Sequence, residues 1–342
     1  LTLSSSCRES IPSNIRGLFG YRTERGDSDS PALAARSFFP YYERGAQSFN
    51  GYAISNLSPG QASLNFQAFT DAGELAIAAE NPAAERVASG KQLALLASEI
   101  FGAAPTGAQY GYWIQLGSGA GDIGTFTQFG DGQELDGAVA WSGVAKELYF
   151  SRVYQGANAF LGKRATTTLS IANPTDNLCL FYLDLIGPDG RLIKRKTQML
   201  NANQLLCRTL ADLFEGSGTI SGGYVRVVVA AGEGVAAAAT VRLPDQRTAF
   251  SLNALYPGFR RKVYSAQMAH IDGAYFTDLC LINTGDMNRE VTIRVVDDSG
   301  AAIGNPTARQ LRPGESIRAD IAALLGLARG IPKVGSIEVE AN

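Results

Sequence analysis

The sequence predicts an all-β chain of three tandem antiparallel β-sandwich units, the third split between the C-terminal and N-terminal segments. Three observations carry that prediction. Side chains alternate with period two: Val225, Val227 and Val229 alternate with Arg226, Val228 and Ala230, and Val291, Ile293 and Val295 with Thr292 and Arg294, which is strand rather than helix patterning. Hairpin residues punctuate the alternation, as in Gly187-Pro188-Asp189-Gly190 and Asp297-Asp298-Ser299-Gly300, where a final Gly adopts positive φ without steric cost. The same spacing then recurs three times along the chain.

In the first repeat an apolar opening at Phe38, Phe39 and Pro40 leads through Gly45 to Asn56, with Gly73 17 residues later. The second runs from Tyr149 and Phe150 through Gly156 to Asn173, with Gly190 17 residues on, and the third from Val263 and Tyr264 through Gly273 to Asn283, with Gly300 at the same offset. Downstream, apolar residues at Ile100-Phe101, Leu213-Phe214 and Leu324-Leu325 precede strands that begin at Gly111, Gly223 and Gly335. Short helical turns are expected at Leu210 to Phe214 and Ile321 to Leu325, and no long helix.

Two further strands complete the first two repeats, the earlier of them starting at Ile123 and Val235. The third repeat stops at Asn342 without them, and the start of the chain supplies the match. Ile15, Leu18 and Tyr21 repeat the spacing of Ile123, Phe126 and Phe129, ahead of a turn at Gly26-Asp27. The expected organisation is therefore an N-terminal half-unit of donor strands over 1–36, a first unit over 37–146, a second over 147–260 and an incomplete third over 261–342. Several short strands in repeats of about 110 residues suit a sandwich of immunoglobulin-like size.

The run from Phe150 through Gly156, Thr168 to Asn173 with Pro174, Asp189-Gly190, and Leu210 to Phe214, closing on the Gly223 strand, resembles the tandem immunoglobulin-like β-sandwich repeats of large secreted and surface proteins of bacteria. The likeness extends over nearly the whole chain. It implies an extracellular scaffold or adhesive array and carries over no active site. The first repeat departs from it, with Leu57 where the second has Pro174 and a longer loop through Pro82.

Composition narrows the chemistry. The 342 residues carry 30 basic and 32 acidic side chains, a formal charge of −2, so there is no basic surface for nucleic acid. A single His, His270, cannot build a multi-His metal site, and it sits about where the other repeats have Tyr42 and Tyr154. No run reaches the ~18 apolar residues of a membrane span, and no signal-peptide pattern stands at Leu1, so the chain reads as a mature, soluble secreted form. No enzyme activity and no cofactor are expected.

The remaining constellations have plain structural readings. Arg25-Gly26-Asp27 falls at a hairpin that explains its Gly and Asp. Asp27 and Asp29, or Asp131, Glu134 and Asp136, lack the full spacing of a calcium loop. Asn56-Leu57-Ser58 forms a glycosylation sequon with no expected role in a bacterial chain. Tyr41, Tyr42, Phe49, Tyr52 and Trp113 would make a platform for cell-surface glycans, but alternate core positions of a sandwich account for them more simply. Cys7, Cys179, Cys207 and Cys280 have no paired close spacing, so zinc is not expected. Pairs Cys179–Cys207 and Cys7–Cys280 are the expected disulfides if the thiols do not stay free and buried.

A sandwich without two strands exposes an unpaired edge and an open core. The acceptor face would be lined by Ile293, Val295, Ile337 and Val339, and the donor segment by Leu1, Leu3, Ile15, Leu18 and Tyr21. Donation to a neighbouring copy would build a head-to-tail homopolymer; the alternatives are closure on the chain's own third unit and a fragment of a longer array. Four or five buried apolar donor side chains would contribute several kcal/mol at ~1.5 to 3 kcal/mol each before ordering costs. The function expected from this logic is that of a surface filament subunit, with a monomeric or self-closed adhesin or carbohydrate-binding array as the alternative.

Overall fold

The computed structural model describes residues 2–9, 36–41, 48–119, 122–130, 135–160, 162–243, 248–257, 261–270, 275–327 and 333–342. Among them are 24 strands, all paired antiparallel, and three helices of four or five residues. The fold is all-β, as period-two patterning predicts. None of these helices is long and apolar enough to cross a membrane.

After β1 (Thr2–Glu9), the first pair of sheets is built from β2 (Arg36–Phe39), β3 (Phe49–Asn56), β4 (Ala62–Thr70), β5 (Ala83–Val87), β6 (Gln92–Leu96), α1 (Ala97–Ile100), β7 (Tyr112–Ser118), β8 (Ile123–Gly130) and β9 (Leu135–Val139). One sheet has the order β2-β7-β4-β5 and the other β6-β3-β8-β9. Tyr52 and Ile54 of the second sheet share a buried core with Leu64, Phe66, Ile114 and Leu116 of the first. The strict inside–outside alternation of β3 and the first half of β4 gives each strand one face for this core.

The next pair repeats the plan with β10 (Glu147–Phe150), β11 (Gln155–Phe160), β12 (Lys163–Ala172), β13 (Cys179–Ile186), β14 (Leu192–Leu200), β15 (Leu205–Thr209), α2 (Leu210–Leu213), β16 (Tyr224–Ala231), β17 (Ala236–Leu243) and β18 (Thr248–Asn253). Its sheets run β10-β16-β13-β14 and β12-β17-β18, with β15 and β11 on the free side of β12. The third has β19 (Lys262–His270), β20 (Tyr275–Ile282), β21 (Arg289–Val296), β22 (Thr307–Leu311), β23 (Ser316–Asp320), α3 (Ile321–Leu325) and β24 (Lys333–Ala341). One of its sheets, β19-β24-β21-β22, repeats the order of β2-β7-β4-β5. The other is β23-β20-β1, so the N-terminal strand completes it.

The repeated Asn and Gly have definite physical work. Asn56, Asn173 and Asn283 are all buried. Asn173 Nδ2 donates to the carbonyls of Asn177, Leu200 and Asn201 at 2.7, 3.1 and 2.9 Å, while its Oδ1 accepts from Thr175 N and Oγ1 at 3.2 and 2.7 Å. Asn56 and Asn283 make the corresponding bonds to Gly60 and Val87, and to Met287 and Leu311. A short amide thus satisfies loop carbonyls that would otherwise be buried without donors. For Asn56 this accounts for the sequon, because its amide is committed inside the fold. Gly73, Gly190 and Gly300 take φ of 89°, 83° and 83° at the ends of superimposable hairpins. In each, the residue three before the Gly accepts from the Gly N–H, and the Gly is followed by the carbonyl that closes the loop.

Two features exceed the sequence expectation. A third helical turn, α1, joins the two predicted at Leu210 and Ile321, with Ile100 buried beneath it. The extra strand β11 has no counterpart among the described residues of the other two pairs. The expected place of His270 is also off by one. Thr277 Oγ1 exchanges hydrogen bonds with Ala269 N and O at 2.9 and 3.0 Å, just as Thr167 Oγ1 does with Tyr154 at 2.8 and 2.9 Å. Ala269, not His270, therefore holds the place of Tyr154.

Candidate assembly site

β1 pairs with β20 of the same chain through eight residue pairs, from Thr2 opposite Ile282 to Glu9 opposite Tyr275. Counted from the repeated asparagines, this is the register of the other two pairs of sheets. Ser55, Ala172 and Ile282 each precede that Asn, and they face Gly124 of β8, Ala236 of β17 and Thr2 of β1. The N-terminal strand stands on β20 where β8 stands on β3 and β17 on β12.

The expected donors Leu1, Ile15, Leu18 and Tyr21 lie outside the described residues, and the segment found on β20 is Thr2–Glu9, with Leu3 opposite Leu281. The positions that match Thr2 to Ser5 are Ala236 to Ala239 in β17, all buried, and Gly124 to Thr127 in β8. Backbone pairing, rather than large side chains, is what the edge requires. The expected acceptor residues do converge: Ile293, Val295, Ile337 and Val339 are buried in one core with Leu279 and Leu281 of β20.

Cys179 and Cys280, one member of each expected pair, are free thiols. Cys280 faces Ser4 and Cys7 faces Thr277, so Cys7 and Cys280 are not cross-strand partners. Cys280 Sγ donates instead to the Ser151 carbonyl at 3.0 Å, and burial pushes its pKa up to about 12 although Arg152 pulls it down.

Successive pairs of sheets meet in joints that repeat one design. At the first, Leu205 N donates to Asp71 O at 3.3 Å, and Trp113 Nε1 donates to Asn203 O at 2.8 Å. At the second, Ser316 N donates to Pro188 O at 2.9 Å, and Tyr224 Oη donates to Gly314 O at 2.8 Å. Asn203 and Gly314 hold the same left-handed turn position, with φ of 58° and 74°. A Cβ on Gly73 would lie 2.6 Å from Ala202 O, and one on Gly190 2.8 Å from Gly314 C. The hairpin glycine is thus also the point of closest approach.

Side chains add to each joint. Arg208 lies 3.3 Å over the Tyr110 ring at the first. At the second, Arg318 lies 4.7 Å from the centroid of Tyr154 and 5.0 Å from that of Phe160, and its Nε is 3.1 Å from Asp278 Oδ2. The Arg152 guanidinium, itself buried, donates to the Asp278 carbonyl. Trp141 Nε1 donates to Ala237 O at 2.9 Å, and the ring lies in one buried core with Ala236 and Ala237 of β17.

The other sequence candidates fall away from this site. Trp113 and Tyr52 are buried, and Trp113 stacks on Phe69 at 4.8 Å, so they present no platform to a glycan. Tyr42 lies outside the described residues, as do Arg25, Gly26, Asp27, Asp29, Asp131 and Glu134. Asp136 is buried and its Oδ1 accepts from Gly137 N at 2.8 Å. His270 lies in β19 opposite Lys333. Among the described residues no group of three or more His, Cys, Asp and Glu is placed to hold a metal ion.

No family model matches the chain, and no curated protein does. Among solved structures, a chain from the T13 IBDV viral particle aligns over 99% of this chain and 73% of its own length, at 12% identity and a TM-score of 0.15. That similarity is too slight to show a shared fold.

Proposed function

We propose that this chain is a structural subunit of a secreted, cell-surface filament, made of three tandem β-sandwich units and linked head to tail by exchange of its N-terminal strand. Each pair of sheets is one sandwich, with boundaries near residues 37, 147 and 261. The observation that supports the reading is the register of β1 on β20, which repeats that of β8 on β3 and β17 on β12. In the first two units the strand in that slot comes from the same unit. In the third it comes from the far end of the chain, so a neighbouring copy can supply it equally well.

Exchange costs no ladder hydrogen bonds, because the same eight pairs form within a chain or between chains. A second reading, a monomeric adhesive array closed on itself, is favoured by the pairing of β1 with β20 of its own chain. Ser4→Cys separates the two, since position 4 faces Cys280 and directly opposed strand residues are within disulfide reach. Oxidation of the full chain at high concentration is expected to give a ladder of covalent oligomers, with fibres in electron microscopy that disappear when residues 1–9 are deleted. A cross-linked product confined to the monomer, with no fibres, would overturn filament assembly and leave the self-closed array.

A further inference from the structure

The joints between units leave one unused copy of each half. The hairpin of the third unit, Asp297–Ala301, carries the same two backbone hydrogen bonds as Thr70–Glu74 and Gly187–Arg191, which bind the following unit at the two joints. Yet a Cβ on Gly300 would meet nothing within 4 Å. At the other end, the first-unit turn Ala88–Lys91 repeats Asn201–Gln204 and Arg312–Glu315, with the first-to-fourth hydrogen bond at 3.1, 3.2 and 3.0 Å. Gly90, with φ 66°, matches Asn203 and Gly314, and a Cβ on it also meets nothing within 4 Å. Both turns are exposed.

From these two vacant halves we infer that the Asp297–Ala301 hairpin of one copy docks on the Ala88–Lys91 turn of a second copy, forming a third joint of the internal design. The contact rests on the strand exchange proposed above, because β1 donated in trans is followed in sequence by the first unit and so brings that unit beside the acceptor. Its backbone bond would run from Gln92 N to Asp298 O, as from Leu205 to Asp71 and from Ser316 to Pro188. Charge complements the shape: Asp297 and Asp298 sit on the hairpin and Lys91 on the turn. The half-buried Ser336 holds the place of Trp113 and Tyr224, since it faces Val296 as Trp113 faces Phe69 and Tyr224 faces Ile186. This joint therefore lacks the aromatic donor and is the weakest of the three. Nothing lies within 4 Å of a Cβ at either glycine, and association between copies would fill both halves at once.

Zero-length carbodiimide cross-linking of a one-to-one mixture of 15N-labelled and unlabelled full chain tests the contact. The expected product is a mixed-isotope peptide joining Lys91 to Asp297 or Asp298. Asp298→Lys is expected to weaken association at least tenfold in sedimentation, and Asp298→Lys with Lys91→Asp to restore it. If position 4 links to Cys280 between copies while Asp298→Lys has no effect and no Lys91 cross-link forms, the joint is wrong and strand exchange stands. If the mixed-isotope link forms while position 4 links to Cys280 only within chains, the joint stands and strand exchange is wrong. Absence of both links overturns both.

Discussion

Trp113 donates its indole N–H to the Asn203 carbonyl across the first joint, at 2.8 Å, while its ring stacks on Phe69 with an interplanar angle of 15°. A side chain that a sequence reader assigns to the core of one unit is also a hydrogen-bonding link to the next. Trp113→Phe keeps the stacking and removes the donor, leaving a buried carbonyl short of a partner. The expected loss is about 1–3 kcal/mol, and Trp113→Ala, which also empties the ring site, should lose about 3–5 kcal/mol. Urea denaturation of both variants checks the difference.

The buried asparagines should be intolerant of shape-preserving change. Asn173→Leu removes three donated hydrogen bonds at once, and Asn173→Asp replaces the donors with a buried negative charge facing carbonyls. Each is expected to destabilise by about 3 kcal/mol or more, read as a lowered urea midpoint with unchanged slope. Leu57→Ser, at an exposed position and with the Leu57 N–H bond to Asp122 O kept, should be close to neutral beside them.

Gly190 and Gly300 share a φ of 83° but only Gly190 is packed, with Gly314 C 2.8 Å from where its Cβ would be. Gly300→Ala is expected to cost only the left-handed backbone penalty, about 1–2 kcal/mol. Gly190→Ala adds a clash with backbone and should cost more, with protease cleavage or amide exchange rising between the second and third pairs of sheets. Equal losses in dilute monomer would show that the joint does not depend on this approach.

Alkaline pH should loosen the second joint in a defined window. The Cys280 thiol titrates near 9.0 when unfolded and is pushed up to about 12 by burial. In that interval the folded chain holds a proton that the unfolded chain has released. Stability is therefore full below pH 9 and falls as pH rises towards 12. Tyr224, raised by burial from 10.0 to about 12, acts in the same direction from pH 10 upward. Cys280→Ala should flatten the lower part of the decline in denaturation curves measured from pH 8 to 11. The wild-type thiol should react with aromatic disulfide reagents only at the rate of local opening.

The strand content, the helical turns at Leu210 and Ile321, and the threefold recurrence of Asn and Gly were legible in the sequence, because each depends on local physics. Alternation selects one face of a strand, a left-handed turn selects glycine, and a short amide caps neighbouring carbonyls. The burial of Ile293, Val295, Ile337 and Val339 in one core was legible for the same reason. The pairing of Thr2–Glu9 with β20 was harder to read, since register between distant strands is not a local property.

The order of residues was enough to read strands, hairpins and a threefold spacing, since counting and periodicity are properties of the chain itself. Only the tertiary structure decided that Thr2–Glu9 is the strand on β20, that Cys179 and Cys280 are thiols, and that Gly73 and Gly190 are packed in joints while Gly300 is open. The physical reason is that register and close approach depend on which backbones come within a few ångströms of each other, and residues as far apart as Thr2 and Ile282, or Gly73 and Ala202, meet only once the sheets have formed.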